Sequence, residues 1–148
     1  MRTDAEIQKD VMDELKWVPL LKSTEIGVAV KNGVVTLSGI VDTYGKKVSA
    51  EKAATRVTGV KAVAEDIEVK ILGTGKRTDA EIAEAVLNAL KWHSAMQEGK
   101  IKVKVDNGWV TLEGDVEWAF QRNAARKMVE DLLGVTGIIN NIKVVPKL

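Results

Sequence analysis

Apolar and polar positions alternate along Ile26–Gly39 in a way that allows one reading. Ile26, Val28 and Val30 alternate with Gly27, Ala29 and Lys31; Val35 and Leu37 alternate with Val34, Thr36 and Ser38. Asn32-Gly33 separates the two runs. This is the signature of a β-hairpin closed by a two-residue type I′ turn, in which both central residues take positive φ. That turn sets Val30 opposite Val35, Val28 opposite Leu37 and Ile26 opposite Gly39. All the large apolar side chains then fall on one side of the ribbon. The pattern returns at Ile101–Gly114 around Asn107-Gly108, with Val105 opposite Val110, Val103 opposite Leu112 and Ile101 opposite Gly114. Gly33 and Gly108 serve the turns, and Gly39 and Gly114 close the hairpins.

The hairpin is part of a larger repeat. Arg2-Thr-Asp-Ala-Glu-Ile7 recurs as Arg77-Thr-Asp-Ala-Glu-Ile82, and the same shift carries Lys16-Trp17 onto Lys91-Trp92 and Gly59-Val60 onto Gly134-Val135. About 26 of roughly 69 aligned positions are identical without a gap, which marks an internal duplication.

Each copy reads helix, strand, strand, helix, strand. The first helix opens on a capping box, Thr3 with Glu6 and Thr78 with Glu81. Its buried stripe is Ile7, Val11, Leu15 and Val18 in copy one, and Ile82, Val86 and Leu90 in copy two. Pro19 ends the first of these helices near Val18. Trp17 and Trp92 sit beside the stripe and are expected at the edge of the core. The second helix is expected over 44–58 and 119–133, turned inward by Ala50, Ala53, Ala54 and Val57, and by Ala125, Met128, Val129 and Leu132. Gly59 and Gly134 stop it. A third strand follows, carrying Val63, Ile67, Val69 and Ile71, then Ile138, Ile142 and Val144. A right-handed crossover makes it parallel to the second strand. The fold class is α+β: two αββαβ modules, each a three-stranded mixed sheet with two helices on one face. The modules cover residues 1–72 and 77–148, joined by a linker at 73–76.

Composition narrows the function more than it defines it. The 148 residues are 45% hydrophobic and 29% charged, with Lys+Arg 22 against Asp+Glu 21 and a net charge of +1. The basic excess of a general nucleic-acid binder is absent. With no cysteine, disulfides, thiolate metal sites and cysteine nucleophiles are excluded. No signal-peptide segment or membrane span is evident, so a cytoplasmic location is expected, or a periplasmic one if a leader has been removed. The single histidine, His93, falls where copy one has Val18 and reads as structural. Neither a metal nor a cofactor is expected. Glu65 and Asp66, adjacent on a strand, point to opposite faces and make no carboxylate pair. Gly73-Thr-Gly-Lys76 lacks the spacing of a phosphate loop and has Arg77 where Ser or Thr should bind magnesium; it reads as linker.

The helix start Asp-Ala-Glu-Ile, the hairpin ends Val-Thr-Leu-Ser-Gly39 and Val-Thr-Leu-Glu-Gly114, and the Gly-Val…Ile-x-Val tail together resemble the BON domain, a bacterial module often found in tandem. Asn140 matches the polar residue often found before the last strand, and Glu65 departs from it. The resemblance implies an αββαβ fold and a non-enzymatic role, associated in the family with envelope or osmotic stress and transport. Some members bind anionic phospholipid, and some are cytoplasmic, including one implicated in potassium sensing.

The outward faces of the two hairpins differ. Copy two presents Lys100, Lys102, Lys104, Asp106, Trp109, Thr111 and Glu113, and Trp118 and Phe120 open its second helix where copy one has Thr43 and Gly45. Lysines with exposed aromatics suit an anionic membrane surface. Trp109, Trp118, Phe120, Lys102 and Lys104 are the candidate contact residues for such a surface or for a protein partner. In copy one the same face holds Gly27, Ala29, Lys31, Val34, Thr36 and Ser38. It is expected to pack on copy two or on a second chain, giving a homodimer. The alternative function is a sensor of a cation or small ligand bound in the cleft between the copies.

Overall fold

The computed structural model describes residues 2–21, 26–70, 77–91 and 101–146. They form two compact units, Met1–Lys70 and Ile71–Leu148, here domains 1 and 2. The linker residues 73–76, Trp92, His93 and Lys100 lie outside the described residues.

Domain 1 runs α1 (Asp4–Lys16), a 3-10 turn (Pro19–Leu21), β1 (Ile26–Lys31), β2 (Val34–Val41), α2 (Tyr44–Thr55) and β3 (Ala62–Val69). Domain 2 runs α3 (Asp79–Lys91), β4 (Ile101–Asp106), β5 (Trp109–Val116), α4 (Ala119–Glu130) and β6 (Gly137–Val144). Each sheet has its second strand in the centre, antiparallel to the first and parallel to the third. The hairpin register is the expected one, from Ile26 opposite Gly39 to Lys31 opposite Val34. Asn32 and Gly33 have φ of 52° and 78°, and Asn107 and Gly108 have 49° and 81°, as a type I′ turn requires.

Both helices of each domain cover the same sheet face. In domain 1, Ile7, Val11 and Leu15 of α1 and Ala50, Ala53 and Ala54 of α2 are buried with Val35, Leu37 and Ile67 of the sheet. The alanines let α2 approach the sheet closely. In domain 2 the buried set is Ile82, Val86, Leu90, Val110, Leu112, Ala125, Val129 and Ile142. The second helices end about a turn earlier than the sequence spacing suggests, at Thr55 and Glu130. Beyond them the chain tightens into i+3 turns, with Val57 N–H donating to Ala54 and Leu132 N–H to Val129. Gly59 and Gly134, both at φ 96°, then release it into the last strand.

One contact ties the first helix to the hairpin. The Asp4 carboxylate accepts the N–H groups of Asn32 and Gly33 at 2.9 and 3.1 Å. Asp79 does the same for Asn107 and Gly108 at 2.9 and 3.0 Å. On the other side of each turn, the Gly33 carbonyl accepts from Lys61 N–H and the Gly108 carbonyl from Thr136 N–H, both at 2.9 Å. The turn is thus held by the helix start and by the residue leading into the third strand. A bond to a charged acceptor contributes about 1.5–3 kcal/mol. Asp4→Ala and Asp79→Ala should therefore each destabilise their own domain by about 2 kcal/mol, read by chemical unfolding.

The capping boxes form as expected. Thr3 accepts from Glu6 N–H, and its own N–H and hydroxyl donate to Glu6 Oε1. Thr78 and Glu81 repeat the exchange of side chain and backbone. The Thr backbone donor first, then the Thr side chain, holds each Glu carboxyl below its ordinary value of 4.5. The stabilisation is therefore complete above 4.5 and is lost as pH falls through the folded value. Amide exchange at Thr3 and Thr78, whose N–H groups donate to these carboxylates, should accelerate there, relative to intrinsic rates, before the cores open.

Candidate contact surface of domain 2

The sheet face of domain 2 turned away from the helices is ordered in rows by its register. From the hairpin turn onward, Asp106, Trp109 and Gly137 form one row; Lys104, Thr111 and Ile139 the next; Lys102, Glu113 and Asn141 the third. Lys102 and Lys104 are exposed, but Lys102 stands opposite Glu113, and Asp115 and Lys143 make a further opposite pair. The face is mixed in charge rather than basic.

Trp109 has a packing role. Its ring lies flat over Gly137, where an added Cβ would fall 2.4–2.6 Å from Cζ3, Cε3 and Cη2. Gly137 is glycine because the indole occupies its side-chain space. Domain 1 fills the same pair with Val34 and Ala62, a medium and a small residue in place of a large one and none. Trp109 is 48% exposed, and its other face remains open.

Trp118 and Phe120 lie elsewhere. They open α4, beyond the far end of β5, and β5 itself spans about 23 Å at ~3.3 Å per residue. The five candidate residues therefore do not form one patch: Trp109, Lys104 and Lys102 lie on the sheet face, while Trp118 and Phe120 form a separate tip. At that tip Trp118 is 57% and Phe120 60% exposed. Val145, whose N–H donates at 2.7 Å to the carbonyl of Val116, two residues before Trp118, is exposed as well. An open groove of about 980 Å³ runs along the C-terminal half of β6, lined by Glu113 and Asp115 as well as by Arg122, Asn140, Lys143 and Val145.

The N-cap of α4 sets this tip apart. In domain 1, Thr43 caps α2 by accepting from Lys46 N–H at 3.3 Å. In domain 2 the cap is Trp118, whose indole has no acceptor, and only the return half of a capping box remains. Gln121 Oε1 accepts from the N–H groups of Glu117 and Trp118 at 3.1 and 3.0 Å. Giving up a Thr cap costs about 1 kcal/mol. Phe120 likewise stands where domain 1 has Gly45, which is buried.

The remaining expectations divide. Val34 is 40% exposed, and Gly27, Ala29, Lys31 and Ser38 around it are exposed too. Trp17 is not at the core edge: it is 84% exposed. It forms the C-cap of α1 and falls in line with Asp10, Asp13 and Glu14, the polar side of the helix. Arg122, Lys143 and Val145 were not singled out by sequence. Arg122 lies one helical turn past Trp118, a spacing that brings side chains together; Lys143 and Val145 reach the tip only through the parallel pairing of β6. Among the described residues, no group of three or more His, Cys, Asp or Glu side chains is placed to hold a metal ion, and no helix is long and apolar enough to cross a membrane.

The architecture defines a tandem αββαβ protein. The family model described as "BON domain" matches residues 3–71 and again 78–146, and the chain belongs to that family. It is 28% identical over 127 residues to the osmotically-inducible protein Y of Escherichia coli (strain K12), covering 83% of this chain and 63% of that protein. It is 30% identical over 132 residues to the 21 kDa hemolysin of Actinobacillus pleuropneumoniae, covering 88% of this chain and 68% of the other. The chain thus spans about two thirds of the length of these relatives. Among solved structures, CdsD, a structural protein of the type III secretion system of Chlamydia trachomatis, aligns over 94% of this chain and 92% of its own at 12% identity, with a TM-score of 0.43.

The packing of Trp109 can be tested by rebuilding the domain 1 pair. Gly137→Ala alone should displace the indole and destabilise domain 2. Adding Trp109→Val should recover part of that loss. The two changes should couple by about 1 kcal/mol or more in a double-mutant cycle of unfolding free energies.

Proposed function

We propose that this BON protein is a non-enzymatic, stress-associated binding module that docks on anionic phospholipid surfaces through the tip of domain 2. The observation that carries this reading is the N-cap of α4, where a capping hydroxyl has given way to an exposed indole with a phenyl ring two residues on. Departures from a local stability rule concentrate at functional sites. Trp118, Phe120 and Val145 supply apolar surface suited to the interfacial layer of a bilayer. Arg122 and Lys143, which share their groove with Glu113 and Asp115, can meet lipid phosphates, each cation near an anionic surface contributing about 1 kcal/mol. Lys102 and Lys104 stand further off on a face of mixed charge and contribute mainly to approach. Relatives named for osmotic induction and for hemolysis fit a role at a membrane surface under stress.

The test is sedimentation with phosphatidylglycerol-containing and with phosphatidylcholine-only vesicles, reading Trp emission at low and moderate salt. Binding is expected to the anionic vesicles alone, with a blue shift and a loss at higher salt. Trp118→Ala and Phe120→Ala should each weaken it about tenfold, the equivalent of partial burial of one large side chain. Trp109→Ala should change it little. Failure to bind anionic vesicles at low salt would retire the lipid reading and turn the same tip toward a protein partner.

A further inference from the structure

The two domains differ at the seam where the second helix meets the outer strand. In domain 2, Asn140 sits on the inner face of β6. Its Nδ2 donates to the Arg122 carbonyl of α4 at 3.1 Å, and its Oδ1 accepts the Ile142 N–H at 3.2 Å. That N–H points off the sheet: Val145 N–H turns inward to Val116, and amide directions alternate along a strand. One carboxamide thus joins helix and strand while also satisfying an edge amide.

Domain 1 has Glu65 in this register, opposite Leu37 as Asn140 is opposite Leu112. The equivalent helix carbonyl belongs to Lys47. A carboxylate has no hydrogen to donate to it. Among the described residues, Glu65 Oε1 is buried without a hydrogen-bond partner. The charged groups facing it are Lys47 and Glu51 of α2; from β2 its neighbour is Leu37, and Asp66 and Glu68 on β3 point to the opposite, exposed face.

We propose that Glu65 is a proton-operated latch between β3 and α2. Protonated, its carboxyl donates to the α2 backbone as the Asn140 amide does to α4; ionised, it cannot, and the seam is weaker. Domain 2 carries the same latch in a form that no pH change opens.

The surroundings favour the closed form. Burial first, then the Glu51 carboxylate, raise the Glu65 carboxyl above its ordinary 4.5, with Lys47 opposing. The folded domain therefore holds this proton more tightly than the unfolded chain. Its stabilising effect is complete below 4.5 and is lost as pH rises through the folded value. This is opposite in sign to the capping carboxylates, so acid tightens this seam while loosening the helix starts.

The test is a carbon-13 NMR titration of the Glu65 carboxyl in the full chain, with chemical unfolding of wild type and Glu65→Gln, whose carboxamide donates at every pH. The carboxyl should titrate above 4.5, and Glu51→Gln should lower its midpoint. Glu65→Gln should favour folded domain 1 at pH 7 by about three- to tenfold, the worth of one recovered hydrogen bond. That gain should vanish well below pH 4.5. If Glu65→Gln fails to fold, the wild-type titration and its response to Glu51→Gln decide. A Glu65 midpoint at or below 4.5, a midpoint that Glu51→Gln leaves in place, or a Glu65→Gln effect that is absent or equal at the two pH values would overturn the latch.

Discussion

Each domain closes on a carboxylate aimed at a tight turn. A type I′ turn directs its two central amides away from its own strands, and Asp4 or Asp79, at the first position of a helix, takes both. The helix start is thereby fixed to a point 28 residues along the chain, and its stripe of Ile7, Val11 and Leu15 is set over the hairpin's apolar face. The turn's carbonyl receives the chain as it enters the last strand. Hydrophobic burial supplies most of the stabilisation, but it is non-directional. The polar contacts around one Asn-Gly pair specify which helix end meets which turn.

The fold was legible because its determinants are local or periodic. Alternation along Ile26–Gly39 and the Asn-Gly pair define the hairpin, and the duplication shows every element twice. The Asp4 contact was not legible. Asp4 and Asn32-Gly33 both stand out in the sequence, yet no periodicity reports a hydrogen bond between segments so far apart. The candidate surface was legible in part. Trp109 and Gly137 replace Val34 and Ala62, an exchange visible in the aligned copies, but only the register shows that the two changes compensate each other. Trp118 in place of Thr43 was visible as well, whereas its distance from Trp109 follows from β5 lying between them. Trp17 was misplaced because a position beside an apolar stripe can face either way, and the end of α1 at Lys16 turns it toward solvent.

Duplication left the two domains with one core and two surfaces. The buried set is nearly the same in kind, with small residues under α2 and larger ones under α4. Divergence is concentrated where the core does not constrain it: the cap of the second helix, the outer sheet face, and the inner position shared by Glu65 and Asn140. A tandem pair of this kind can keep one copy as a scaffold while the other acquires contact residues, since a cap costing about 1 kcal/mol is a small loss against a full core.

The outer strands have a consequence for behaviour at high local concentration. An unpaired edge is a template on which another strand can grow. On β3 the edge is defended by charge, with Asp66 and Glu68 on its exposed face. On β6 the run Gly137–Ile142 carries no charge at all, and the defence is instead a side chain, Asn140, lying across the Ile142 amide. A molecule crowded onto a surface with its neighbours would otherwise be exposed to sheet-to-sheet growth. Two different stoppers, one on each copy, guard the free edge of the third strand.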